Sequence, residues 1–283
     1  MEFQQSVIEL IKIRKSCRTY DGKAVEKVTL QKLIDYAAQI NGKAKIKVRF
    51  TLVNNNNLEG KLGTYGNISG AKSFIVGILR KDEKDAIEFG YLFEKIILFA
   101  TDLGLQTCWL GGGFNRRDFK QNANILENEF IPIVSPVGIK KETPRIIDSV
   151  LRIAAGSDQR KPWSGLIFEG NAAVPLSKSD AGPYAIPLEM VRLAPSASNK
   201  QPWRIIKDTN AFHFFLCRTS GYGVPNYDLQ KNDIGIAKCH FESSATELGL
   251  AGKWQQTANI NALDDWKYIT SWIPDGTPST KTM

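Results

Sequence analysis

Residues that build metal and nucleophile sites are scarce in this sequence. Its 283 residues include two histidines and four cysteines. The cysteines are scattered without a C-x-x-C spacing, at Cys17, Cys108, Cys217 and Cys239. This scatter argues against a disulfide framework and against a cysteine-based zinc site. His213 and His240 each lie in an apolar segment, and we interpret both as hydrogen-bonded core residues, so no metal site is expected.

A long uninterrupted hydrophobic run is also absent. The most apolar stretch, 89–105, is interrupted by Glu94, Lys95 and Asp102, which is unlike a membrane span. The first residues form no basic leader, so we expect neither a targeting segment nor membrane association. Together with the scattered cysteines, these absences predict a cytoplasmic protein.

The excess of positive charge is modest and dispersed. There are 37 Lys and Arg residues against 29 Asp and Glu residues, a net charge of +8. No known nucleic-acid-binding module accompanies the basic residues, so no nucleic-acid partner is expected, and a small anionic ligand explains the charge equally well. With 42% hydrophobic residues, the composition is that of a globular chain, long enough for one large domain or two coupled ones.

What the sequence does contain is an internal repeat. The segment 88–109 matches 233–254 without a gap, and both copies include an Ala-Thr-acid-Leu-Gly-Leu run that is followed by a tryptophan. A second match relates 33–49 to 188–204. Each copy of the first block has apolar residues on more than one face and ends at a glycine, which predicts a long, mostly buried helix.

The repeat and the strand pattern together predict the fold class. Apolar segments indicate strands at 50–53, 73–79, 131–134, 203–206 and 212–216, and a central strand at Cys108–Leu110. We therefore expect an α+β fold of two pseudo-symmetric mixed α/β halves, fused as an intramolecular dimer. Glycine, proline and serine residues at 170–179 place the boundary there, which divides the chain into 1–172 and 173–283.

The sequence lacks the common catalytic motifs. No H-E-x-x-H, G-x-S-x-G or Walker A pattern occurs, and no glycine motif has the setting of a dinucleotide fingerprint. Any chemistry is therefore expected to come from a cofactor.

A basic run follows the first amphipathic segment. Arg14, Lys15, Ser16 and Arg18 place two guanidinium groups, an ammonium group and a hydroxyl at a predicted helix end. Arginine binds phosphate oxygens in pairs, and serine adds a further donor. The run is a candidate anion clamp, and a solvated basic helix end is the alternative.

Two further segments are candidates for ligand contacts. The run 194–203, APSASNKQPW, is a polar loop bracketed by two prolines, and such a loop can hold a polar ligand rigidly. The run 110–114, LGGGF, has consecutive glycines, which let a backbone approach a flat ligand closely. Ordinary turns are the alternative for both.

Together, these three segments resemble the motifs of the nitroreductase family of FMN-dependent flavoproteins. The run 14–18 matches the family's R-[RHK]-S-x-R motif, 194–203 matches its A-P-S-x-x-N-x-Q-P-W motif, and 109–114 matches its glycine-containing strand end. The resemblance covers essentially the whole chain and is greatest to the thermophile-type subgroup with two fused halves. It implies a nitroreductase-like fold with FMN bound between the halves, and no catalytic side chain, because the flavin carries the chemistry.

The resemblance also assigns residues to the FMN site. The clamp of the first half and a basic pair before the boundary are expected on the phosphate, the glycine backbone at the reactive edge of the flavin, and the polar loop on the flavin from the second half. The expected cofactor-binding residues are Arg14, Lys15, Ser16, Arg18, Trp109, Leu110, Gly111, Gly112, Gly113, Arg160, Lys161, Pro195, Ser196, Ala197, Ser198, Asn199 and Gln201.

A single site is expected, because each half lacks what the other supplies. In the first half, 39–47 stands in the place of the polar loop without its Pro-Ser-x-x-Asn pattern, and the second half has no Arg-x-Ser clamp. Gly112 stands where many relatives carry an acidic residue. The segment 65–67 either lines the substrate pocket or forms a surface turn.

The expected function is that of an FMN-dependent oxidoreductase. It would take a hydride from NADH or NADPH at flavin N5 and reduce a nitroaromatic, a quinone or a similar small-molecule acceptor in a ping-pong cycle, and the fused halves make a functional monomer reasonable. Two alternatives stay open. One is a non-catalytic flavin-binding or flavin-remodelling protein, and the other is a basic anion or nucleic-acid binder, whose binding would depend steeply on salt.

Overall fold

The structure is a computed structural model, and it describes residues 3–54, 63–143, 145, 159–209, 211–222, 227–258, 260 and 265–276. The helices in these ranges are α1 (Val7–Ile13), α2 (Lys27–Lys43), α3 (Ala86–Asp102), α4 (Arg116–Asn122), α5 (Ala185–Leu193) and α6 (Leu229–Glu247). The strands are β1 (Val48–Asn54), β2 (Ser73–Arg80), β3 (Gln106–Thr107), β4 (Glu129–Gly138), β5 (Ile167–Glu169), β6 (Trp203–Lys207), β7 (Phe212–Cys217), β8 (Gly252–Gln255) and β9 (Trp266–Pro274). The predicted mixed architecture is confirmed.

None of the described helices combines the length and the apolar character needed to span a bilayer.

The strands form two sheets with the same internal order. The first sheet runs β1-β2-β4-β3, and the second runs β6-β7-β9-β8 with β5 added in parallel beside β6. All other neighbouring strands are antiparallel. In the first half α3 connects β2 to β3, and in the second half α6 connects β7 to β8. Equivalent long helices therefore connect equivalent strands, and the two halves are pseudo-symmetric.

The two long helices end in the same way. After α3, the N–H groups of Gly104 and Leu105 donate to carbonyls of the last helical turn, at 2.9 Å each. After α6, Gly249 and Leu250 make the same two hydrogen bonds at 3.0 and 2.8 Å. The two glycines have φ angles of +75° and +71°, which glycine adopts without strain. The predicted glycine ends are confirmed in both copies.

α3 and α6 cross where each carries a glycine. A Cβ on Gly90 would lie 2.4 Å from the carbonyl oxygen of Asn232, and a Cβ on Gly235 would lie 2.1 Å from that of Ile87. The two glycines occupy equivalent positions of the repeat. The helix backbones therefore touch directly, and any larger residue at either position would force the helices apart.

A buried polar pair spans the same crossing. Glu94 of α3 lies 2.9 Å from Nε2 of His240 in α6, and neither side chain is exposed. His240 Nδ1 lies 3.0 Å from the carbonyl oxygen of Met190, so Nδ1 carries a proton, because a carbonyl oxygen only accepts. His213 is also buried and has a partner at each ring nitrogen. Both histidines are core residues with hydrogen-bond partners, as predicted.

Five of the predicted strand segments are confirmed and one is wrong. The segments 50–53, 73–79, 131–134, 203–206 and 212–216 lie within β1, β2, β4, β6 and β7. A central strand at Cys108–Leu110 does not form, because β3 lies at the sheet edge and ends before Cys108. The N–H of Cys108 donates to Ser135 Oγ at 3.1 Å instead of to a strand carbonyl. Only Leu110 pairs with β4 again, through an isolated bridge.

β5 precedes the predicted boundary at 172 but pairs with β6 of the second sheet. Leu166 and Ile167 belong to the same buried apolar cluster as Trp203 and Phe214 of the second half. The end of the first half therefore packs on the second, while the division into 1–172 and 173–283 stays a prediction.

Carboxylates at the ends of both long helices hold the start of α1. Asp102 of α3 accepts hydrogen bonds from the N–H groups of Gln4 and Gln5, at 2.8 and 3.0 Å. Glu247 of α6, the equivalent residue of the repeat, accepts from the N–H of Val7. A carboxylate at a helix N-terminus is favourable because the first N–H groups lack partners within the helix. α1 is thus fixed on the pair of long helices.

Gly235→Ala is expected to destabilise the chain, because its Cβ would collide with the Ile87 carbonyl of the neighbouring helix. Overpacking of this kind costs about 1–3 kcal/mol, and the free energy of unfolding in urea should fall by that amount. The matched control is Gly42→Ala in α2, where a Cβ meets no atom within 4 Å. The control should gain about 0.5–1 kcal/mol, since alanine is the better helix former. If Gly235→Ala were as stable as the wild type, the close crossing would be refuted.

Candidate active site

A cavity of about 540 Å³ lies between the end of α1, the turn after β3, the loop after α5 and the N-terminal half of α6. This volume is within the range of roughly 300–1,000 Å³ that is typical of sites for small ligands and cofactors. Residues from both halves of the repeat contribute to its wall.

Most of the site residues predicted from the sequence line the cavity. Lys161 and Gln201 are the two that do not line it. Those that do are Arg14, Lys15, Ser16, Arg18, Trp109, Leu110, Gly111, Gly112, Gly113, Arg160, Pro195, Ser196, Ala197, Ser198 and Asn199. Segments that are far apart in the sequence thus meet at one cavity wall.

Arg14 stands at the point where α1 ends, and its N–H still donates to the Leu10 carbonyl at 2.9 Å. Just beyond it, the N–H of Cys17 donates to the carbonyl of Thr107 in β3 at 2.8 Å, which ties the clamp segment to the sheet. Arg14 is 8% exposed, and its Nε and Nη1 have no hydrogen-bond partner among the described residues. A buried guanidinium in this state is costly, so the site fits an anion such as a phosphate.

The charge of the cavity wall also favours an anionic ligand. Among the described lining residues the basic ones are Lys12, Arg14, Lys15, Arg18 and Arg160, and the acidic one is Asp233. A cavity whose charged lining residues are mostly cations concentrates anions. The wall therefore fits the phosphate of FMN, the cofactor that the resemblance implies.

The loop after α5 is held in a strained conformation. Ser198, Asn199 and Gln201 have φ angles of +46°, +54° and +49°, a region that costs residues other than glycine about 1–2 kcal/mol each. The loop is closed by the Gln201 N–H, which donates to Ser196 Oγ at 2.9 Å. Gln201 is 2% exposed, and its Oε1 accepts from the N–H of Lys161 at 2.8 Å. The hydrogen bond between Gln201 and Lys161 therefore stabilises the loop from outside the cavity.

Arg160 lies across the same loop. Its Nη1 donates to Asn199 Oδ1 at 2.8 Å, and its Nη2 donates to the carbonyl of Leu193 at 3.1 Å. Asn199 Nδ2 in turn donates to the carbonyl of Gln159 at 2.6 Å. Asn199 thus positions a guanidinium that lines the cavity, and it joins the segment before the predicted boundary to the loop of the second half.

The glycine turn after β3 is held from both sides. Arg116 of α4 donates from Nη2 to the carbonyl of Gly111 at 2.9 Å, and Asn67 donates from Nδ2 to that of Gly113 at 3.1 Å. Gly113 has a φ of +70°, and a Cβ there would lie 2.4 Å from Asn67 Nδ2. The turn therefore requires glycine at this position. Asn67 lines the cavity, whereas Tyr65 is 72% exposed, so the segment 65–67 is partly cavity wall and partly surface turn.

Trp109 connects the cavity wall to the helix crossing. Its Nε1 donates to Glu94 Oε2 at 2.8 Å, and Glu94 is the residue that pairs with His240. The indole packs against the ring of Phe93, with 4.7 Å between the ring centroids. These contacts hold the indole in one orientation, as a rigid aromatic part of the wall suited to a flat ligand.

The sequence-based prediction missed the contribution of α6 and the segment before it. Tyr222, Leu229, Asn232 and Asp233 all line the cavity. The available signal is a pair of adjacent polar residues, Asn232 and Asp233, in a helix whose neighbouring positions are buried. The repeat match by itself explains Asp233 only as the counterpart of Glu88 and suggests no ligand for it.

Asp233 is an unusual carboxyl group. Burial raises its pKa to about 8; a hydrogen bond from the Ala197 N–H opposes this shift, and the charge of Asp228 adds to it. The distance from Ala197 N to Asp233 Oδ1 is 3.0 Å, and Oδ2 has no partner among the described residues. At neutral pH the group is therefore mainly protonated.

Comparisons with known proteins bear on the whole chain. Residues 6–245 match a family model described as "Putative TM nitroreductase". Among solved structures, one from Thermotoga maritima MSB8 described as a "putative nitroreductase" has a TM-score of 0.58 at 18% identity, and the match covers 96% of this chain and 95% of that one.

Two other structures match about half of the chain. A nitroreductase family protein from Clostridium novyi NT has a TM-score of 0.38 at 26% identity, covering 53% of this chain and 91% of that one. An FMN-dependent nitroreductase from Clostridium difficile R20291 has a TM-score of 0.38 at 23% identity, covering 49% and 90%. None of the curated proteins matches.

The Thermotoga maritima structure shows the fold that this chain shares, over nearly its full length. The family model accounts for the greater part of the sequence, including the clamp segment, α3, nearly all of α6 and the polar loop. The chain therefore belongs to the nitroreductase family.

Proposed function

We propose that the chain is an FMN-dependent oxidoreductase that takes a hydride from NADH or NADPH and reduces nitroaromatic, quinone or similar flat acceptors in a ping-pong cycle. The observation that carries the proposal is Arg14. It is a buried guanidinium in the wall of a ligand-sized cavity, and two of its nitrogens have no partner among the described residues. Membership of the nitroreductase family supports the redox class of the reaction.

The phosphate of FMN would be held near the end of α1. Arg14, Arg18 and Arg160 offer guanidinium groups, whose parallel N–H donors match phosphate oxygens in pairs. Lys15 adds an ammonium group and Ser16 a hydroxyl, and all five residues line the cavity. The clamp does not depend on a flexible segment, because β3 anchors it through Cys17.

The flavin ring would be held by the other walls. The strained loop 195–199 and the glycine turn 111–113 present backbone groups to the cavity, and each is fixed by hydrogen bonds behind the wall. Groups fixed in this way bind without a further ordering cost. Trp109 and Leu229 supply apolar surface that excludes water from the ring. Bound FMN supplies the hydride chemistry, and the chain's residues bind, orient and shield it.

We also propose one FMN per chain in a functional monomer. In the first half, the counterpart of the polar loop begins inside α2, which runs on to Lys43. A helix end therefore lies where the second half has the polar loop 194–203. The matching sheet orders support an internal duplication as the origin of the two halves. The four free cysteines fit a reducing cytoplasm as the place of action.

The function is tested by anaerobic reduction of the flavin-loaded chain. NADH or NADPH should bleach the flavin absorbance, and a nitroaromatic or quinone should restore it in a separate step, as a ping-pong cycle requires. A chain that binds FMN but is reduced by neither nucleotide would contradict the enzyme proposal and favour a non-catalytic flavin-binding protein. A chain that does not bind FMN would contradict the cofactor itself and favour an anion binder.

Arg14→Ala is expected to weaken FMN binding by about 10- to 100-fold, since a hydrogen bond to a charged group contributes about 1.5–3 kcal/mol. The measurement is a fluorescence titration of the full-length chain with FMN. Riboflavin, which lacks the phosphate, should bind the variant and the wild type with the same affinity.

The matched control for Arg14 is Arg117→Ala. Arg117 lies on the exposed side of α4 and does not line the cavity, so its loss changes the net charge equally without touching the clamp. This variant should bind FMN as the wild type does. An FMN affinity of Arg14→Ala equal to that of the wild type would refute the clamp.

A further inference from the structure

One carboxyl oxygen of Asp233 accepts a hydrogen bond, and the other has no hydrogen-bond partner among the described residues. Its Oδ1 accepts a hydrogen bond from the N–H of Ala197, in the loop after α5, at 3.0 Å. Its Oδ2 is buried and has no hydrogen-bond partner among the residues that the structure describes. Asp233 is 3% exposed and lines the cavity. A buried polar atom of this kind is satisfied when a ligand supplies its partner.

The surroundings of Asp233 favour its neutral form. Burial is the main cause that raises the pKa of Asp233 to about 8. The negative charge of Asp228, at the start of α6, raises it further. The titratable tyrosines on the described part of the preceding segment are Tyr222 and Tyr227, and the Tyr227 hydroxyl donates to Asn232 Oδ1 at 2.6 Å. The cations of the cavity wall are Lys12, Arg14, Lys15, Arg18 and Arg160, and Asp233 forms an ion pair with none of them. Because Oδ1 accepts from Ala197, the proton of the neutral acid resides on Oδ2, which makes Oδ2 a hydrogen-bond donor.

We propose that Asp233 is a neutral carboxylic acid that donates a hydrogen bond from Oδ2 to an acceptor atom on the ring of the bound flavin. The inference rests on the proposed function and adds a ligand-binding residue to it.

The ring is the partner because Asp233 is hydrogen-bonded to a residue of the apolar part of the cavity wall. Ala197, to which Asp233 is bonded, packs in the same apolar cluster as Trp109 and Leu229. The clamp residues are anchored elsewhere, at the end of α1 and beside β3. Asn232 adds a second donor on the same turn of α6, since its Nδ2 is also buried without a partner among the described residues. Flavin rings carry carbonyl oxygens and imine nitrogens, which accept such hydrogen bonds.

The test measures the dissociation constant of FMN against pH for the full-length wild type and Asp233→Asn. If only protonated Asp233 donates, the wild-type affinity divided by that of Asp233→Asn is constant below about pH 8 and falls above it. The ratio removes the titration of the FMN phosphate, which both proteins share. The asparagine amide keeps an acceptor for Ala197 and donates at every pH, so its affinity should lack this fall. Equal pH profiles for the two proteins would overturn the proposal.

Glu88→Gln is the matched control. Glu88 occupies the position equivalent to Asp233 in the repeat, on α3, and its pKa is also raised by burial, but it does not line the cavity. This variant should keep the wild-type pH profile. Asp233→Ala, which has no donor at all, should bind FMN about 3- to 10-fold more weakly than Asp233→Asn at neutral pH. Equal affinity of these two Asp233 variants would contradict a donor role.

A measurement without ligand separates this inference from the proposed function. In the folded chain Asp233 holds a proton that the unfolded chain releases between about pH 4 and 8, so wild-type stability relative to Asp233→Asn should fall as pH rises through that window. Urea unfolding of both proteins across the window measures this difference. A difference in stability that does not change with pH would refute the neutral acid, whether or not the chain binds FMN. Absence of FMN binding to the wild type would refute the proposed function.

Discussion

The direct contact between α3 and α6 is the constraint on which the rest of the structure depends. Gly90 and Gly235 let the two backbones touch, and no other residue type would allow this approach. The buried pair of Glu94 and His240 adds direction to the contact, because their 2.9 Å hydrogen bond forms in one alignment of the two helices. Each helix belongs to one half, so this single crossing sets how the two halves meet.

The cavity is a consequence of that crossing. α6 is positioned so that Asn232 and Asp233 form part of the wall, and Glu94 of α3 holds Trp109 in another part of it. The carboxylates at the far ends of the two helices, Asp102 and Glu247, hold the start of α1. Arg14, at the end of α1, then lies in the cavity wall. The proposed phosphate clamp, the aromatic wall and the polar helix turn are thus placed by one packing arrangement.

The site also holds unfavourable features that a ligand would relieve. Three residues of the loop after α5 have positive φ angles although none is glycine. Arg14, Asn232 and Asp233 bury polar atoms without partners among the described residues. Strain and unsatisfied polar groups of this kind cluster where a fold is organised for binding. The surrounding hydrogen bonds, above all those of Gln201, keep the loop in place at this cost.

Local sequence patterns predicted the elements and the segments of the site, and the long-range contacts explain what they missed. Apolar periodicity was enough for the long helices, and the glycines after them marked their ends. The strand expected at Cys108–Leu110 does not form, and the N–H of Cys108 instead donates to the side chain of Ser135, a residue distant in sequence. Gln201 lies in a motif that suggests ligand contact, yet its side chain hydrogen-bonds to the backbone of Lys161 and Asn199 and does not line the cavity. The role of Asp233 depends on the helix crossing, which no single segment encodes.

In the proposed function, two unequal halves build one flavin site. The measurement that tests it most directly is the molar ratio of FMN to chain in the saturated protein, taken from the visible absorbance of the flavin after its release from a known amount of chain. We expect a ratio of one, because the proposed clamp lies in the first half and the polar loop in the second. A ratio of two would show that the other pseudo-symmetric position also binds flavin, and it would refute the single site.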